Sequence, residues 1–236
     1  MRKNGAGLVA MGVAGASSVD TVISLAILNL KRAIPAAHVR IEENELATLQ
    51  AKLSAGELDI VVARSDIVFQ NPEIHAESLY VERVHVVARR GHPLASERQP
   101  SWEQLCCYGW ALWAKGTPVR TAFDLSLMES GKRLPSHFIE SNSASLNASI
   151  LTGSDLLGIA ARRPALRLEK MNILAILDYP LSVSGAVTVY WRENSRTRNT
   201  VRIALDGLRK AVRGTSTGED SSVPAGALAP DRVVQK

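Results

Sequence analysis

The sequence predicts an α/β protein in which helices alternate with buried strands of a parallel sheet. Residues 44–64 show the pattern best. Leucines repeat at helical spacing after Asn44, the expected N-cap, and Gly56 suits the left-handed position that follows a helix. A nearly unbroken apolar run comes next, as is typical of a strand covered on both faces. With 46% apolar residues, the chain can bury the core that such a fold needs.

The first part of the chain predicts a βαβαβ unit. Residues 8–13 form an apolar strand, and either Ser17 or Ser18 is expected to cap the helix that follows. Pro35 ends this helix, and residues 39–42 alternate as a second strand. The helix and strand described above complete the unit. Right-handed crossovers would make its three strands parallel.

The rest of the chain repeats the alternation of strands and helices. We expect strands or extended segments at residues 74–80, 84–89, 110–113, 137–140, 156–160 and 183–191. We expect helices at residues 102–105, 118–128, 144–151 and 164–171, and a last helix capped by Ser195 or Thr197. Residues 214–236 lack periodicity and are rich in Gly, Ser and Pro, which predicts a flexible tail.

Several phrases of the sequence resemble the effector-binding domain of LysR-type transcriptional regulators. They are L-x-x-G-E-L-D-I-V-V at residues 53–62, His92-Pro93-Leu94-Ala95, and T-G-x-x-L-x-G-I-A at residues 152–160 followed by Arg163-Pro164. Their order and spacing are similar to the family from about Gly7 to about Arg213. The resemblance implies two Rossmann-like lobes joined by two crossing strands, a type 2 periplasmic-binding-protein-like fold.

The same resemblance implies a domain division and a function. Residues 1–89 with 190–213 would form the first regulatory lobe, and residues 90–189 the second. A small-molecule effector would bind in the cleft between them and control transcription through the geometry of a homodimer or homotetramer. The family's winged helix-turn-helix domain is not found in this sequence, so DNA contact is expected only through such a domain. We expect no cofactor.

Turns that carry hydroxyl groups before predicted helices are the main candidates for ligand binding. In open α/β sheets these turns lie at the carboxyl ends of strands, where ligands bind. Each hydroxyl has an alternative interpretation as a plain N-cap. Charged or polar residues directly after buried strands are further candidates, and Arg64 would either meet an acidic effector or pair with a neighbouring Asp or Glu. The full set is Ser17, Ser18, Arg64, Ser65, Gly116, Thr117, Ser141, Ser143 and Arg162. It suits a carboxylate or another polar metabolite.

Other reactive or charged residues are assigned to packing and to the surface. Arg120 is expected in a surface ion pair rather than on the ligand. The adjacent Cys106 and Cys107 are expected to be reduced and partly buried, and His92 to hold a turn. Residues 192–213 carry seven Lys or Arg against two acidic residues, which predicts an amphipathic helix in preference to a nucleic-acid footprint.

The enzyme and transport classes are less favoured alternatives. The five histidines show no metal-ligand spacing, and the sequence has no dinucleotide fingerprint, P-loop or G-x-S-x-G elbow, so we predict neither an enzyme nor a metal site. A periplasmic solute-binding protein is the alternative, because residues 2–16 superficially resemble a secretory signal. Cleavage there would remove the first strand, so we expect a cytoplasmic protein. No segment is apolar enough to span a membrane.

Overall fold

The computed structural model describes residues 7–17, 20–64 and 71–215 of the chain. Its strands are β1 (Leu8–Ala14), β2 (His38–Asn44), β3 (Ile60–Arg64), β4 (Ile74–Arg89), β5 (Trp110–Trp113), β6 (Phe138–Ser141), β7 (Leu157–Ala161), β8 (Leu174–Ile176) and β9 (Ser184–Arg192). Its helices are α1 (Thr21–Ala33), α2 (Leu46–Ser54), α3 (Trp102–Cys106), α4 (Pro118–Glu129), α5 (Ala144–Thr152), α6 (Arg162–Lys170), α7 (Glu193–Arg196) and α8 (Asn199–Gly214). Short 3₁₀ turns occur at Gly15–Ser17 and Pro93–Ser96.

One mixed sheet runs through the molecule in the order β2-β1-β3-β9-β4-β7-β5-β6, and β8 pairs with β4 beside this path. β1 is parallel to both β2 and β3, which confirms the predicted parallel arrangement of the first unit. The later strands repeat it, since β5 is parallel to both β6 and β7. Between these groups, β9 is antiparallel to β3 and β4.

Strand β4 connects the two parallel groups. Residues 74–83 pair with β9, whereas residues 84–89 pair with β7 and β8. The two extended segments predicted here form one strand of 16 residues, because a bulge between Ser78 and Tyr80 shifts the register without ending the strand. β9 starts at Ser184 opposite Arg83, so the chain crosses twice at neighbouring points.

We call the part of the molecule around β1–β3 the first lobe and the part around β5–β7 the second lobe. The residue boundaries predicted for two lobes, 1–89 with 190–213 and 90–189, stay a prediction. The helix that precedes the predicted tail extends to Gly214. The rest of that tail, from residue 216, lies outside the described residues.

Each lobe has its own hydrophobic core. In the first lobe, α1 and α8 cover one face of the sheet with side chains such as Leu30 and Leu208, and α2 covers the other with Leu49. In the second lobe, Trp110 and Phe123 are fully buried. Each such side chain contributes roughly 1.5–3 kcal/mol to the free energy of unfolding. Because the helices occupy the faces of the sheet, the carboxyl ends of its parallel strands are left for a binding site.

Several predicted helix caps are wrong by one or more residues. Glu45 occupies the N-cap position of α2, and Asn44 instead accepts a hydrogen bond of 2.9 Å from the Glu45 N–H. Helix α8 starts after Arg198, because the shorter helix α7 contains Ser195. Gly56 has a φ of +74°, which confirms the left-handed residue predicted after α2.

Most of the basic stretch at residues 192–213 lies in the amphipathic helix α8. The apolar side of α8 faces α1, and cations of the stretch meet carboxylates: Arg209 bonds to Glu77 at 2.6 Å, and Arg198 pairs with Asp59. The predicted amphipathic helix is therefore confirmed. In contrast, Cys106 and Cys107 are both exposed, so the prediction of partly buried thiols is wrong. Trp102 and Leu105 lie three residues apart on one face of helix α3 and are buried in the core. The two cysteines lie on the other side of the helix end and are exposed.

Candidate functional site

A cleft of about 1020 Å³ opens between the two lobes. Its first-lobe wall consists of the ends of β1, β2 and β3 and the start of α2. Its second-lobe wall consists of the end of β5, the start of α4 and the turn before α5, and the start of β9 completes it. Pockets for small molecules usually measure roughly 300–1,000 Å³, so the cleft has room for a metabolite.

The structure brings Ser17, Arg64, Gly116, Thr117 and Ser143 together on the walls of this cleft. These residues come from both lobes, and each follows or precedes the end of a strand, as the rule for open α/β sheets predicts.

Two of the described candidates, Ser141 and Arg162, do not line the cleft. Ser141 holds the turn before α5, since its Oγ accepts a hydrogen bond of 3.1 Å from the Ser143 N–H. Arg162 begins α6 directly after β7 and does not line the cleft, although β7 is the neighbour of β5 in the sheet. The candidates Ser18 and Ser65 lie outside the described residues.

The three predicted helix starts differ in how they are capped. At α1 the cap is Asp20, whose Oδ1 accepts 2.9 Å from the Val22 N–H, so the serine cap predicted there is wrong. At α5 Ser143 has the N-cap role that was its alternative interpretation, because its Oγ accepts a hydrogen bond of 3.2 Å from the Leu146 N–H. At α4, Thr117 Oγ1 donates 2.8 Å to the Ala114 carbonyl, and among the described residues its side chain accepts nothing from the helix.

Arg64 lies in the wall of the cleft at the end of β3 and is only 4% exposed. Its Nη1 donates 3.1 Å to the Glu82 carbonyl. The guanidinium also lies against Gly185, where an added Cβ would come within 2.8 Å of Nη2 and 2.9 Å of Nε. Glycine at position 185 therefore leaves the space that the cation occupies.

Behind Arg64 is a buried polar network that joins the lobes. Glu82 accepts 3.0 Å from the Arg163 N–H at the start of α6, and burial raises the pKa of Glu82 to about 7. The Arg163 guanidinium lies 4.2 Å from the centre of the Tyr80 ring. The Tyr80 hydroxyl donates to Asp20, the cap of α1, and burial raises the Tyr80 pKa above its usual range. The network thus connects the cleft to the starts of α1 and α6.

Sequence reasoning missed several residues of the cleft. Glu43 lies at the end of β2 and Glu45 directly after it, on the same edge as Arg64, and the rule that found Arg64 would have found them too. The Asn142 side chain donates 3.0 Å to Glu45 and so links the lobes across the cleft. Gly185 had no signal in the sequence, because its role depends on the pairing of β9 with β4.

Arg120 is buried at 3% exposure, so its assignment to the surface is wrong. Its guanidinium donates hydrogen bonds to Asp124 at 2.8 Å, to the Trp113 carbonyl at 3.0 Å and to Glu140 at 3.1 Å. Helix α4 points it inward beneath β6, where it borders a second cavity of about 520 Å³. Lys115 borders both cavities.

Residues 4–213 match the family model described as the LysR substrate binding domain. The chain belongs to this family. It is 26% identical to the HTH-type transcriptional regulator PcaQ of Agrobacterium fabrum over 175 residues, which are 74% of this chain and 56% of that protein. The chain thus spans little more than half the length of the curated relatives it matches.

Solved structures of LysR family proteins have the same fold. HinK, a LysR family transcriptional regulator from Pseudomonas aeruginosa, is similar with a TM-score of 0.70 and 20% identity, over 89% of this chain and 71% of that chain. The reduced OxyR regulatory domain from Pseudomonas aeruginosa is similar with a TM-score of 0.66 and 19% identity, over 87% of this chain and 96% of that chain. The fold of this LysR substrate-binding domain is therefore the predicted type 2 periplasmic-binding-protein-like fold.

The LysR family phrase at residues 92–95 has a structural role in this domain. His92 is 2% exposed, and its Nδ1 accepts 3.1 Å from the Leu94 N–H, so that Nε2 carries the proton toward the Asp155 carbonyl at 3.2 Å. Burial lowers the pKa of His92, because it disfavours the charged form of the ring. The predicted turn role is confirmed.

The described residues of this LysR domain contain neither a metal-binding cluster nor a membrane-spanning helix. Within residues 7–17, 20–64 and 71–215, no group of three or more His, Cys, Asp or Glu side chains is arranged to hold a metal ion. In the same ranges, every helix is too short or too polar to cross a membrane.

Proposed function

We propose that this domain binds a small-molecule effector in the interlobe cleft and thereby controls a LysR-type transcription regulator. The observation that carries the proposal is a cleft of about 1020 Å³ whose walls come from both lobes. A ligand that touches both walls favours the lobe arrangement in which it makes the most contacts. It changes an equilibrium between arrangements only if its affinity for them differs.

The polar groups of the cleft support a carboxylate or another polar metabolite as the effector. Arg64 and Lys115 provide positive charge, and Ser17, Thr117 and Ser143 provide hydroxyls. A guanidinium binds a carboxylate through two parallel hydrogen bonds, which makes the contact strong and directional.

Exposed apolar side chains on helix α1 and on the two outer strands of the sheet support a homodimer or homotetramer. On the first lobe Leu28 is 52% and Ile41 50% exposed, and on the second lobe Phe138 is 41% and Ile139 46% exposed. In the described part of the chain, β2 and β6 are the outer strands of the sheet, and outer strands that carry apolar residues favour association. A strictly monomeric domain at high concentration would contradict this part of the proposal.

Effector binding would reach DNA through the oligomer. A change of lobe arrangement moves the two outer edges relative to each other, and DNA-binding domains joined to the paired copies would then be reoriented. The DNA contact belongs to the full regulator, and we expect it to act in the cytoplasm.

The test is a thermal-unfolding screen of the chain against small carboxylates, aromatic acids, amino acids and sugars. A ligand at 100 times its dissociation constant raises the free energy of unfolding by about 2.7 kcal/mol. Thr117→Ala, in the cleft, is compared with Thr152→Ala, because both hydroxyls donate to nearby carbonyls but Thr152 lies outside the cleft.

The expected result is a ligand whose effect is weakened by Thr117→Ala and unchanged by Thr152→Ala. If every hit survives Thr117→Ala, Ser17→Ala and Ser143→Ala, the effector does not bind in this cleft.

A further inference from the structure

We propose that the effector of this cleft is a small zwitterion, a molecule that carries both a carboxylate and a protonated amine. The inference rests on the proposed function of the cleft and adds the chemical class of its ligand. It follows from the positions of the charged side chains on the first-lobe wall.

The strand register puts opposite charges on one face of the sheet. Val13 of β1 is paired with Glu43 of β2 on one side and with Val62 of β3 on the other. Residues two apart on a strand share a face, so Arg64 lies on the same face as Val62 and Glu43. Two strand spacings, about 9–10 Å, separate β2 from β3, and Arg64 lies a further two residues, about 7 Å, along the strand, so the Cα atoms of Glu43 and Arg64 are about 12 Å apart. A positive and a negative group therefore flank the end of β1 at the distance of a small molecule.

The positive side of this wall is built by burial. Arg64 is 4% exposed, its guanidinium is held by the Glu82 carbonyl at 3.1 Å, and it lies against Gly185. A cation fixed in this way loses little conformational entropy when it binds a carboxylate.

The negative side lies across the end of β1. The Glu43 carboxylate covers Gly15, whose added Cβ would lie 3.1 Å from Glu43 Oε1. Glu45 is the next side chain on that side, and its Oε1 accepts 3.0 Å from Asn142 of the second lobe. Both carboxylates line the cleft. A protonated amine on the ligand would meet them there.

The charge arrangement also discriminates against other ligands. A second carboxylate on the ligand would meet Glu43 and Glu45, and like charges in contact disfavour binding. A monocarboxylate would satisfy only the Arg64 side. The second-lobe wall adds Trp113 and Leu125 as apolar surface for the ligand's carbon skeleton.

Calorimetric titration of the full chain with matched compounds tests the inference. The panel consists of the common L-α-amino acids, each with its des-amino acid and its carboxamide. We expect at least one amino acid to bind at least tenfold more tightly than both matched compounds, because each of these lacks one of the two charges. Tenfold corresponds to about 1.4 kcal/mol.

A pair of charge-matched variants locates the amine. Glu43→Gln with Glu45→Gln is compared with Glu57→Gln with Glu97→Gln, which removes two exposed carboxylates outside the cleft. The cleft pair should weaken the amino acid at least tenfold and leave its des-amino acid unchanged, whereas the control pair should change neither. All four positions are exposed, so both proteins are expected to fold.

Two results would overturn the inference. One is a des-amino acid that binds as tightly as its amino acid and whose affinity is unchanged by Glu43→Gln with Glu45→Gln. If Thr117→Ala still lowers the affinity for that acid, the proposed effector cleft is retained and only the zwitterion is rejected. The other is a panel in which nothing binds, while the broader screen yields an uncharged or singly charged ligand. A broader screen without any cleft-dependent ligand would instead reject the proposed function.

Discussion

The two lobes differ in how a helix start near the cleft is built. On the first lobe, α1 starts at Asp20, a carboxyl cap that is 2% exposed and bonded to the buried Tyr80 hydroxyl. On the second lobe, α5 starts at the exposed Ser143, a neutral cap whose hydroxyl meets solvent and the neighbouring Ser145. The first helix start is part of a buried network, and the second is local. Substitution of Asp20 should therefore lower the free energy of unfolding more than substitution of Ser143.

The largest effect is expected for Asp20→Ala. The variant loses a helix cap, worth up to about 2 kcal/mol, and leaves the Tyr80 hydroxyl unpaired, at about 1–3 kcal/mol. The free energy of unfolding in urea should fall by about 4 kcal/mol. Tyr80→Phe in the Asp20→Ala background removes the unpaired hydroxyl and should restore part of the loss. A loss that Tyr80→Phe deepens would argue against the hydrogen bond as its cause.

The next effect is a pH dependence caused by Glu82. Its pKa of about 7 in the folded protein exceeds the ordinary value of 4.5, so the folded state holds a proton that the unfolded state releases. The stabilisation by this proton is complete below pH 4.5 and is lost as the pH rises through 7. The loss is on the order of 3 kcal/mol.

The control for this pH dependence is Glu82→Gln. The free energy of unfolding in urea is measured for the unsubstituted protein and for Glu82→Gln between pH 4.5 and pH 8. The difference between the two free energies should grow as the pH rises. Curves that stay parallel over this range would show that Glu82 does not titrate there.

Gly185→Ala should lower the free energy of unfolding by a smaller amount and also move Arg64, a side chain of the proposed ligand site. The new methyl group would displace the Arg64 guanidinium from the first wall, because its Cβ would lie within 3.0 Å of the guanidinium carbon. Overpacking at this point should lower the free energy of unfolding by about 2 kcal/mol. Thermal unfolding measures it, with Gly153→Ala as the control, since a Cβ there has its nearest contact at 3.4 Å.

The smallest effect is expected for Ser143→Ala on the second wall. It removes one exposed cap, so urea unfolding should show a loss of about 1 kcal/mol. A loss of unfolding free energy as large as that of Asp20→Ala would remove the contrast between the two helix starts.

Much of the fold could be predicted because its signals are local. The apolar run of β5 and the proline at the start of α4 gave bounds that match the structure to within one residue. Residues of the parallel strand ends were also predictable, since the edge of a parallel sheet fixes where they lie. Arg64 and Thr117 were found in this way.

The remaining features depend on distant pairs of residues. Asp20 follows two serines that fit an N-cap equally well, and only its contact with Tyr80, 60 residues away, distinguishes it. The single strand β4 looked like two segments because its burial pattern changes where its partner changes from β9 to β7. The placement of Glu43 on the same face of the sheet as Arg64 depends on the register of both strands with Val13, which no local pattern reveals.

The two crossings between the lobes are neighbours in one antiparallel ribbon, with Arg83 paired to Ser184. Three strand spacings separate β9 from β2, and three separate β4 from β6. Each outer strand is thus about 14 Å from the ribbon. A twist of about 10° in the ribbon would move an outer strand by about 2.5 Å, because the displacement is proportional to the distance of that strand from the ribbon. A small torsion at the centre thereby becomes a displacement at the edges comparable to half a helical turn.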